Sequence, residues 1–402
     1  MIGQVTHGLR GEMRYATAYF GAHLAFIPLF ALLLPRRIAA VDPDNAIRLL
    51  SVLLLAGGIT ASVAHIAAGR WSDIWMKRHG SRRGMIAIGV FALASAQLVL
   101  AVAASEAELF VAVIAFQLAL NLMFAPLGAL LADHVADRRK GRVAGWLNAT
   151  LPLASLGTAL AAFLFPRDGP GGFLLIATIS GVAMLPLLLG WSFGRLAARD
   201  PAEAGMRSHA SASERADYVR LWGARLLVQL GAAFVINYFF LYLVERGHSR
   251  DASRLLGSLA ALATVLSFAS ALAAGYWSDR SGRRRPPMIA ASLGCAIGLL
   301  ALAASPEWPV MVLAFILFHV GLTAFLSVDS AMVTQFLSNS ERKGEVLGIM
   351  NLTNTFPSIL VPALTLLSLQ GRAVPDWSIA FAVSGILALA ATVILSRIKT
   401  IR

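Results

Sequence analysis

The sequence predicts an all-α membrane protein, with twelve transmembrane helices in two six-helix bundles related by a pseudo-twofold axis. Three observations carry this. Of the residues, 58% are apolar and 14% charged, where a soluble domain has about 45–50% and about 25%. The 402 residues fall into twelve apolar runs of roughly the 20 residues that cross a bilayer. The second six runs repeat landmarks of the first. Disorder, a collagen-like fibre and an ordinary soluble enzyme are excluded by the same composition. The single cysteine, Cys295, lies in an apolar run, so neither a disulfide framework nor a cysteine metal cluster can form.

The runs fall at 15–34, 46–69, 84–104, 108–132, 142–165, 172–194, 218–243, 254–277, 286–304, 308–334, 344–369 and 376–397. An even number puts both termini on one side. The first run is longer than the apolar core of a signal peptide, lacks a small-residue cleavage site and is followed at once by further spans, so it reads as a span. Of the 34 Lys and Arg, 25 fall on the side of the termini and the even-numbered loops and eight on the other, with Arg225 inside a span. The positive-inside rule makes the richer side cytoplasmic. Arg36 and Arg37 stand against the trend. The net charge of +13 is thus mostly loop charge rather than a nucleic-acid footprint. The bases are 30 Arg and 4 Lys in an Ala-rich chain, a bias that suggests a GC-rich bacterial genome.

The longest polar connection, near 195–217, separates six runs from six. It divides the chain into a bundle at 1–195, a cytoplasmic linker at 196–217 and a second bundle at 218–402. Gly69-Arg-Trp-Ser-Asp73 after span 2 matches Gly275-Tyr-Trp-Ser-Asp279 after span 8, an offset of 206. Arg139 to Thr150 matches Arg342 to Thr353 at an offset of 203, with seven of twelve pairs identical. Equivalent loops on one side make this a parallel repeat. Secondary transporters built that way hold substrate near the midplane and rock one half against the other.

Gly-x-Trp-Ser-Asp followed by Gly-Arg-Arg, in Gly275 to Arg284, resembles the loop 2–3 and loop 8–9 signature of the major facilitator superfamily. The resemblance covers the whole chain. It implies that these loops latch the halves on the cytoplasmic side, with Asp73, Arg82, Arg83, Asp279, Arg283 and Arg284 in the gating role. The first copy departs by a four-residue insertion, Ile74 to Lys77, about one helical turn. The firmer ion pair is therefore expected at Asp279 with Arg283 or Arg284. Asn121-x4-Pro126-x6-Asp133 and the Arg-Lys-Gly turn are similar to the sucrose transporters and the glycoside–cation symporters. The segment Leu221-Trp-Gly-Ala-Arg225-Leu-Leu resembles one around a span-7 arginine in bacterial relatives of those carriers. Span 5 lacks the G-x8-G-P-x2-G-G pattern of drug/proton antiporters.

Hydrogen-bonding side chains inside lipid are costly unless they face the bundle interior or water. Span 1 carries Glu12, Tyr15, Tyr19 and His23 on one stripe, and span 11 carries Asn351, Asn354, Thr355 and Ser358 on another. Asn148, Pro152 and Ser155 in span 5 are the repeat mates of Asn351, Thr355 and Ser358. Span 7 has Arg225 and Gln229, opposite Tyr19 and His23 in the repeat, and Asn237 on a neighbouring face. Span 4 has Gln117 and Asn121, and span 10 has His319, Thr323, Asp329 and Ser330. Spans 3, 6, 9 and 12 carry little beyond Gln97. The expected substrate contacts are Tyr19, His23, Gln117, Asn121, Asn148, Gln229, Asn237, His319, Asn351, Asn354 and Thr355. Interhelical packing accounts equally well for several of these. A charge at a span centre costs about 2.5–3.5 kcal/mol even on the insertion scale. Arg225 and Asp329 are therefore expected to pair and, with His23, to take part in coupling. Glu245 reads as a rim charge, and His65, Asp133 and Asp137 as loop-proximal structural groups.

No phosphate loop of the G-x4-G-K-[S/T] type occurs, nor H-E-x-x-H or a Cys/His metal spacing. An enzyme, an ATP-driven pump, a metal site and a cofactor are therefore not expected. The expectation is a bacterial inner-membrane carrier with both termini cytoplasmic, acting as a monomer without nucleic-acid partners. Its partners would be the lipid bilayer, a small polar solute and a co-transported proton. Many uncharged polar groups with few fixed charges suit a sugar or glycoside better than a dicarboxylate. The alternatives are export of a drug-like or amphipathic metabolite, and a membrane sensor that transports nothing.

Overall fold

The computed structural model describes residues 9–135, 137–190, 212–304, 307–338 and 343–398. Among them there is no β-strand, and twelve helices are long and apolar enough to cross a membrane. They are α1 (Leu9–Val41), α2 (Ala46–His79), α3 (Arg83–Val102), α4 (Glu106–His134), α5 (Asp137–Leu164) and α6 (Pro170–Leu189), then α7 (Ala212–Leu243), α8 (Ala252–Ser281), α9 (Arg285–Ala303), α10 (Trp308–Ser338), α11 (Lys343–Leu369) and α12 (Trp377–Ser396). Large apolar side chains such as Phe91, Leu189, Leu313 and Leu367 stand fully outward, as lipid-facing residues do.

Several helices run past the apolar runs that announce them. α2 continues through the inserted turn to His79, and α7 begins at Ala212, before the expected 218. The rest of the expected linker lies largely outside the described residues. The helix ends have local causes. Ser105 caps α4 by accepting from the Glu108 N–H, and Asp376 caps α12 by accepting from the Ile379 N–H. Gly80 and Gly282, in the two signature loops, close α2 and α8 at φ of 69° and 61°, a left-handed turn that strains any other residue. In α1 the ladder shifts to a π turn over Leu29–Leu33 directly after Pro28, where the missing proline N–H loosens the register.

The chain divides into two compact units, Met1–Ala202 with Arg250–Gly257, and Glu203–Ser249 with Ser258–Arg402. In the first, α1 packs on α5 and α6, and α3 on α4 and α6. In the second, α7 packs on α11 and α12, and α9 on α10 and α12. The helix-packing pattern therefore repeats with the sequence. Small residues permit the closest approaches. A Cβ on Gly89 of α3 would lie 2.6 Å from the Met123 backbone of α4, and one on Gly298 of α9 would lie 2.7 Å from the Ala314 carbonyl of α10.

The basic exceptions to the charge bias have a structural task. Arg36 donates to the Phe165 carbonyl (2.6 Å) just past α5, and Arg37 donates twice to the Ala103 carbonyl closing α3 (2.9 and 2.8 Å) and pairs with Asp168 at 2.6 Å. Carbonyls that end a helix have no intrahelical donor, and a guanidinium satisfies both their lone pairs and their partial negative charge. These two charges are local caps rather than topological signals. Arg14 does the same for the Gly190 carbonyl ending α6, and Arg285 for the end of α12 at Ser396 and Ile398.

Candidate functional site

In the first unit the α1 stripe faces α4 and α5. The buried Tyr15 hydroxyl donates to the Leu127 carbonyl at 2.8 Å. Tyr19 stands edge-on to Tyr15 and His23 and against Phe124, with ring centroids 5.3, 5.6 and 5.5 Å apart. His23 Nδ1 lies 2.8 Å from the Thr150 hydroxyl of α5. The one Thr150 proton is already directed at the Leu147 carbonyl (2.6 Å), so the hydroxyl accepts and His23 Nδ1 must carry a proton. In the neutral ring, Nε2 is then an acceptor, and it has no hydrogen-bond partner among the described residues. Thr150 and Phe124 were not singled out from the sequence. Thr150 had a signal, as one of the seven identities of the repeat. Phe124 had none, because an aromatic residue in a span reads as packing.

Gln117 and Asn121 of α4 are buried and form part of a chain. The Asn121 amide donates to the Gln117 carbonyl (2.9 Å), and its Oδ1 lies 3.0 Å from His65 Nδ1. His65 is therefore not loop-proximal but lies within α2, where its ring N–H ties α2 to α4. The apolar run ended at 69, too near His65 for its depth to be read.

The second unit gathers four polar groups from three helices. Arg225 of α7 pairs with Asp329 of α10 at 2.5 Å and donates to Asn354 Oδ1 of α11 at 3.3 Å. The Gln229 amide donates to that same oxygen at 2.7 Å. One turn away the Trp222 indole donates to the Ile349 carbonyl of α11 (2.8 Å). The second Asp329 oxygen and Arg225 Nε are buried without a hydrogen-bond partner among the described residues. His23 and Gln229 are repeat mates, and the mate of Thr150 is Thr353, beside Asn354. Both units thus join their first helix to their fifth by a polar link at equivalent heights.

Among the described residues, His319 and Asn237 are not drawn into these groups. His319 directs Nδ1 at the Phe315 carbonyl of its own helix (3.0 Å) and stacks on the Phe315 ring. Asn237 is half-buried on α7 and Thr355 half-buried on α11. The side chains of Asn148 and Asn351 lie outside the described residues. Among the described residues no group of three His, Cys, Asp or Glu could hold a metal ion.

The signature loops reverse the sequence expectation. Arg82 pairs with Asp73 (2.8 Å) and with Asp133 of α4 (2.8 Å), and also donates to Ser72. Asp279 is exposed and has no ion pair among the described residues, so it pairs with neither Arg283 nor Arg284. Arg83 likewise has no ion pair there. The insertion does not break the first copy. The extra turn stays helical, Gly80 reverses the chain, and Arg82 folds back over α2. Asp133 then supplies a second carboxylate, and the corresponding stretch 330–340 of the second half contains no Asp or Glu. Asp133 belongs to this cluster. Asp137 lies at the start of α5, with its side chain outside the described residues.

A family model, Major Facilitator Superfamily, matches residues 16–253 and 231–400. Among solved structures, a POT family transporter in complex with a thioalcohol-conjugated peptide matches with a TM-score of 0.72 at 13% identity, covering 96% of this chain and 95% of that one. A variant of the nucleoside transporter NupG matches at 0.67 and 12%, covering 96% and 99%. A bacterial homologue of the human lysosomal transporter Spinster, inward-facing and unoccupied, matches at 0.63 and 14%, covering 96% and 94%. At such identities these structures share the fold and nothing finer. No curated protein matches the chain in sequence. The family is one of secondary transporters and not of enzymes. By its family model, matched over nearly the whole length, the chain belongs to the major facilitator superfamily.

Proposed function

We propose that the chain takes up a small polar solute, a sugar or glycoside first, by alternating access with a proton as coupling ion. It would act as a monomer in a bacterial inner membrane with both termini cytoplasmic. The observation that carries the reading is the Arg225–Asp329–Gln229–Asn354 group. It combines one buried ion pair with uncharged amides at the depth where lipid tolerates neither, so it borders an aqueous path. Amides suit hydroxyls, and a carboxylate such as Asp329 can hold a proton in one state and an ion pair in the other. His23 Nε2 is a second proton acceptor on the same argument. Asp73, Arg82 and Asp133 would lock one closed state, with Arg83, Asp279, Arg283 and Arg284 forming the weaker counterpart.

Flux into proteoliposomes tests this. Sugar uptake driven by an imposed proton gradient should collapse with a protonophore. Asn354→Ala should weaken solute binding by about 1–3 kcal/mol, the cost of an unpaired hydroxyl, or roughly tenfold or more. Uptake at full rate without any ion gradient would make the protein a uniporter. Outward flux or none would replace uptake by export or sensing.

A further inference from the structure

Resting on that reading of the α7–α10–α11 group as part of the path, we infer that the carried solute bears one carboxylate, as a sugar acid does, and docks it on Arg225 and Gln229. The argument is a count of donors and acceptors. A guanidinium has five N–H donors. Arg225 directs one at Asp329 and one at Asn354 Oδ1; its Nε–H is buried, and the two remaining terminal N–H groups meet no partner among the described residues. Gln229 Nε2 has a second N–H beyond the one given to Asn354. Asn354 Oδ1 accepts from both Arg225 and Gln229. The group's acceptor-only anion, Asp329, sits at the buried end, its side chain 1% exposed against 15% for Arg225. Gln229 is half-buried and Asn354 is exposed.

The accessible edge of this group is therefore led by a cation and a Gln229 N–H, with Gln229 Oε1 as the acceptor beside them and the negative charge of Asp329 behind. A neutral sugar hydroxyl brings a proton that needs an acceptor, and the edge offers few. A carboxylate brings only acceptors, in the paired geometry that a guanidinium fork matches. Arg225 is the one Lys or Arg lying more than two residues inside the ends of the apolar runs of the sequence, and Asp329 already holds part of it. One carboxylate can be balanced there and two cannot, which keeps dicarboxylates excluded while the amides remain for hydroxyls.

The test is binding to the purified full-length protein by titration calorimetry, using matched pairs at one pH and salt concentration. The pairs are D-glucose with D-glucuronate and D-galactose with D-galacturonate. In at least one pair the uronate should bind tenfold or more tighter than its neutral mate. The double variant Arg225→Gln/Asp329→Asn, which leaves no lone buried charge, should reduce that preference to less than twofold. Should that variant not fold, Gln229→Ala, outside the ion pair, should weaken uronate binding at least threefold, and an unchanged affinity overturns the inference. A neutral mate that binds as tightly or tighter overturns the inference and leaves the sugar reading standing. A uronate preference that survives in the folded double variant overturns it too, since the carboxylate is then held elsewhere. No binding by any of the four overturns both.

Discussion

Arg225→Gln is expected to destabilise the protein more than Asp329→Asn, and the double variant less than Arg225→Gln alone. The two partners are unequally placed, with the Asp329 side chain 1% exposed and that of Arg225 15%. Without Arg225, a carboxylate remains in the bundle with one oxygen already unpartnered and no route to water. Breaking a buried pair from that side costs about 3–5 kcal/mol. Without Asp329, the guanidinium keeps Asn354 Oδ1 at 3.3 Å and some solvent, so the loss is nearer that of a charged hydrogen bond, about 1.5–3 kcal/mol. Replacing both by neutral amides removes the stranded charge, and such replacements are often close to neutral. With the double variant near neutral, the cycle should give a coupling of about 4.5–8 kcal/mol, the sum of the two single losses. Unfolding of all four proteins by SDS titration in mixed micelles, followed by tryptophan fluorescence, measures it. Single effects that add within about 0.5 kcal/mol, or a larger loss for Asp329→Asn, would refute the argument from burial.

Arg82→Ala should destabilise the α2–α4 contact strongly, and Asp133→Asn more than Asp73→Asn, because the Asp73 side chain is 65% exposed and that of Asp133 22%; Asp279→Asn should leave the melting temperature unchanged, and a drop there would mean that the second loop does hold a pair. His23→Ala and Thr150→Val should each cost about 0.6 kcal/mol, up to about 1.7, as interhelical hydrogen bonds in membranes do, and the double variant no more than the larger single. Full additivity in the same titration would deny the bond. Gly89→Ala should lower expression and melting temperature, since its Cβ would meet the Met123 backbone at 2.6 Å, whereas Gly69→Ala, with nothing within 4 Å, should be silent. Equal behaviour of the two would show that the α3–α4 approach is loose.

The number of spans, their repeat and the Arg225–Asp329 pair were legible in the sequence because each follows from the cost of polarity in lipid. An apolar run marks where lipid lies, and a charge inside one is conspicuous. Helix ends were less legible, since backbone hydrogen bonding continues into polar water-facing turns. α2 outruns its apolar stretch to His79 for this reason, and α10 continues to Ser338. Ion-pair choice in the signature loops was misread because loop spacing along one chain segment ignores a third group arriving from elsewhere. Asp133 comes from α4, and no local pattern connects it to Arg82. His65 was missed because its partner Asn121 comes from α4 and no local pattern connects the two, while the His65 side chain itself stays exposed. The partner of His23 was hidden because a threonine that bonds its own backbone has a second, silent lone pair.

The arginines at the end of α1 have a mechanical consequence. Arg36 and Arg37 tie α1 at once to the end of α3, the end of α5 and Asp168 in the α5–α6 loop. Three helix ends and a loop riveted by two guanidiniums behave as one lever arm, so this face of the first unit cannot yield helix by helix. At the repeat offset of 206, their places in α7 are taken by Tyr242 and Leu243. Tyr242 there packs against the rings of Trp377 and Phe381 of α12 at centroid distances of 5.4 and 5.1 Å, and its hydroxyl is without a hydrogen-bond partner among the described residues. Aromatic faces slide and re-tilt where guanidinium forks do not. The protein therefore has a stiff half and a compliant half at equivalent faces, and bending within a bundle during a transport cycle falls to the second one.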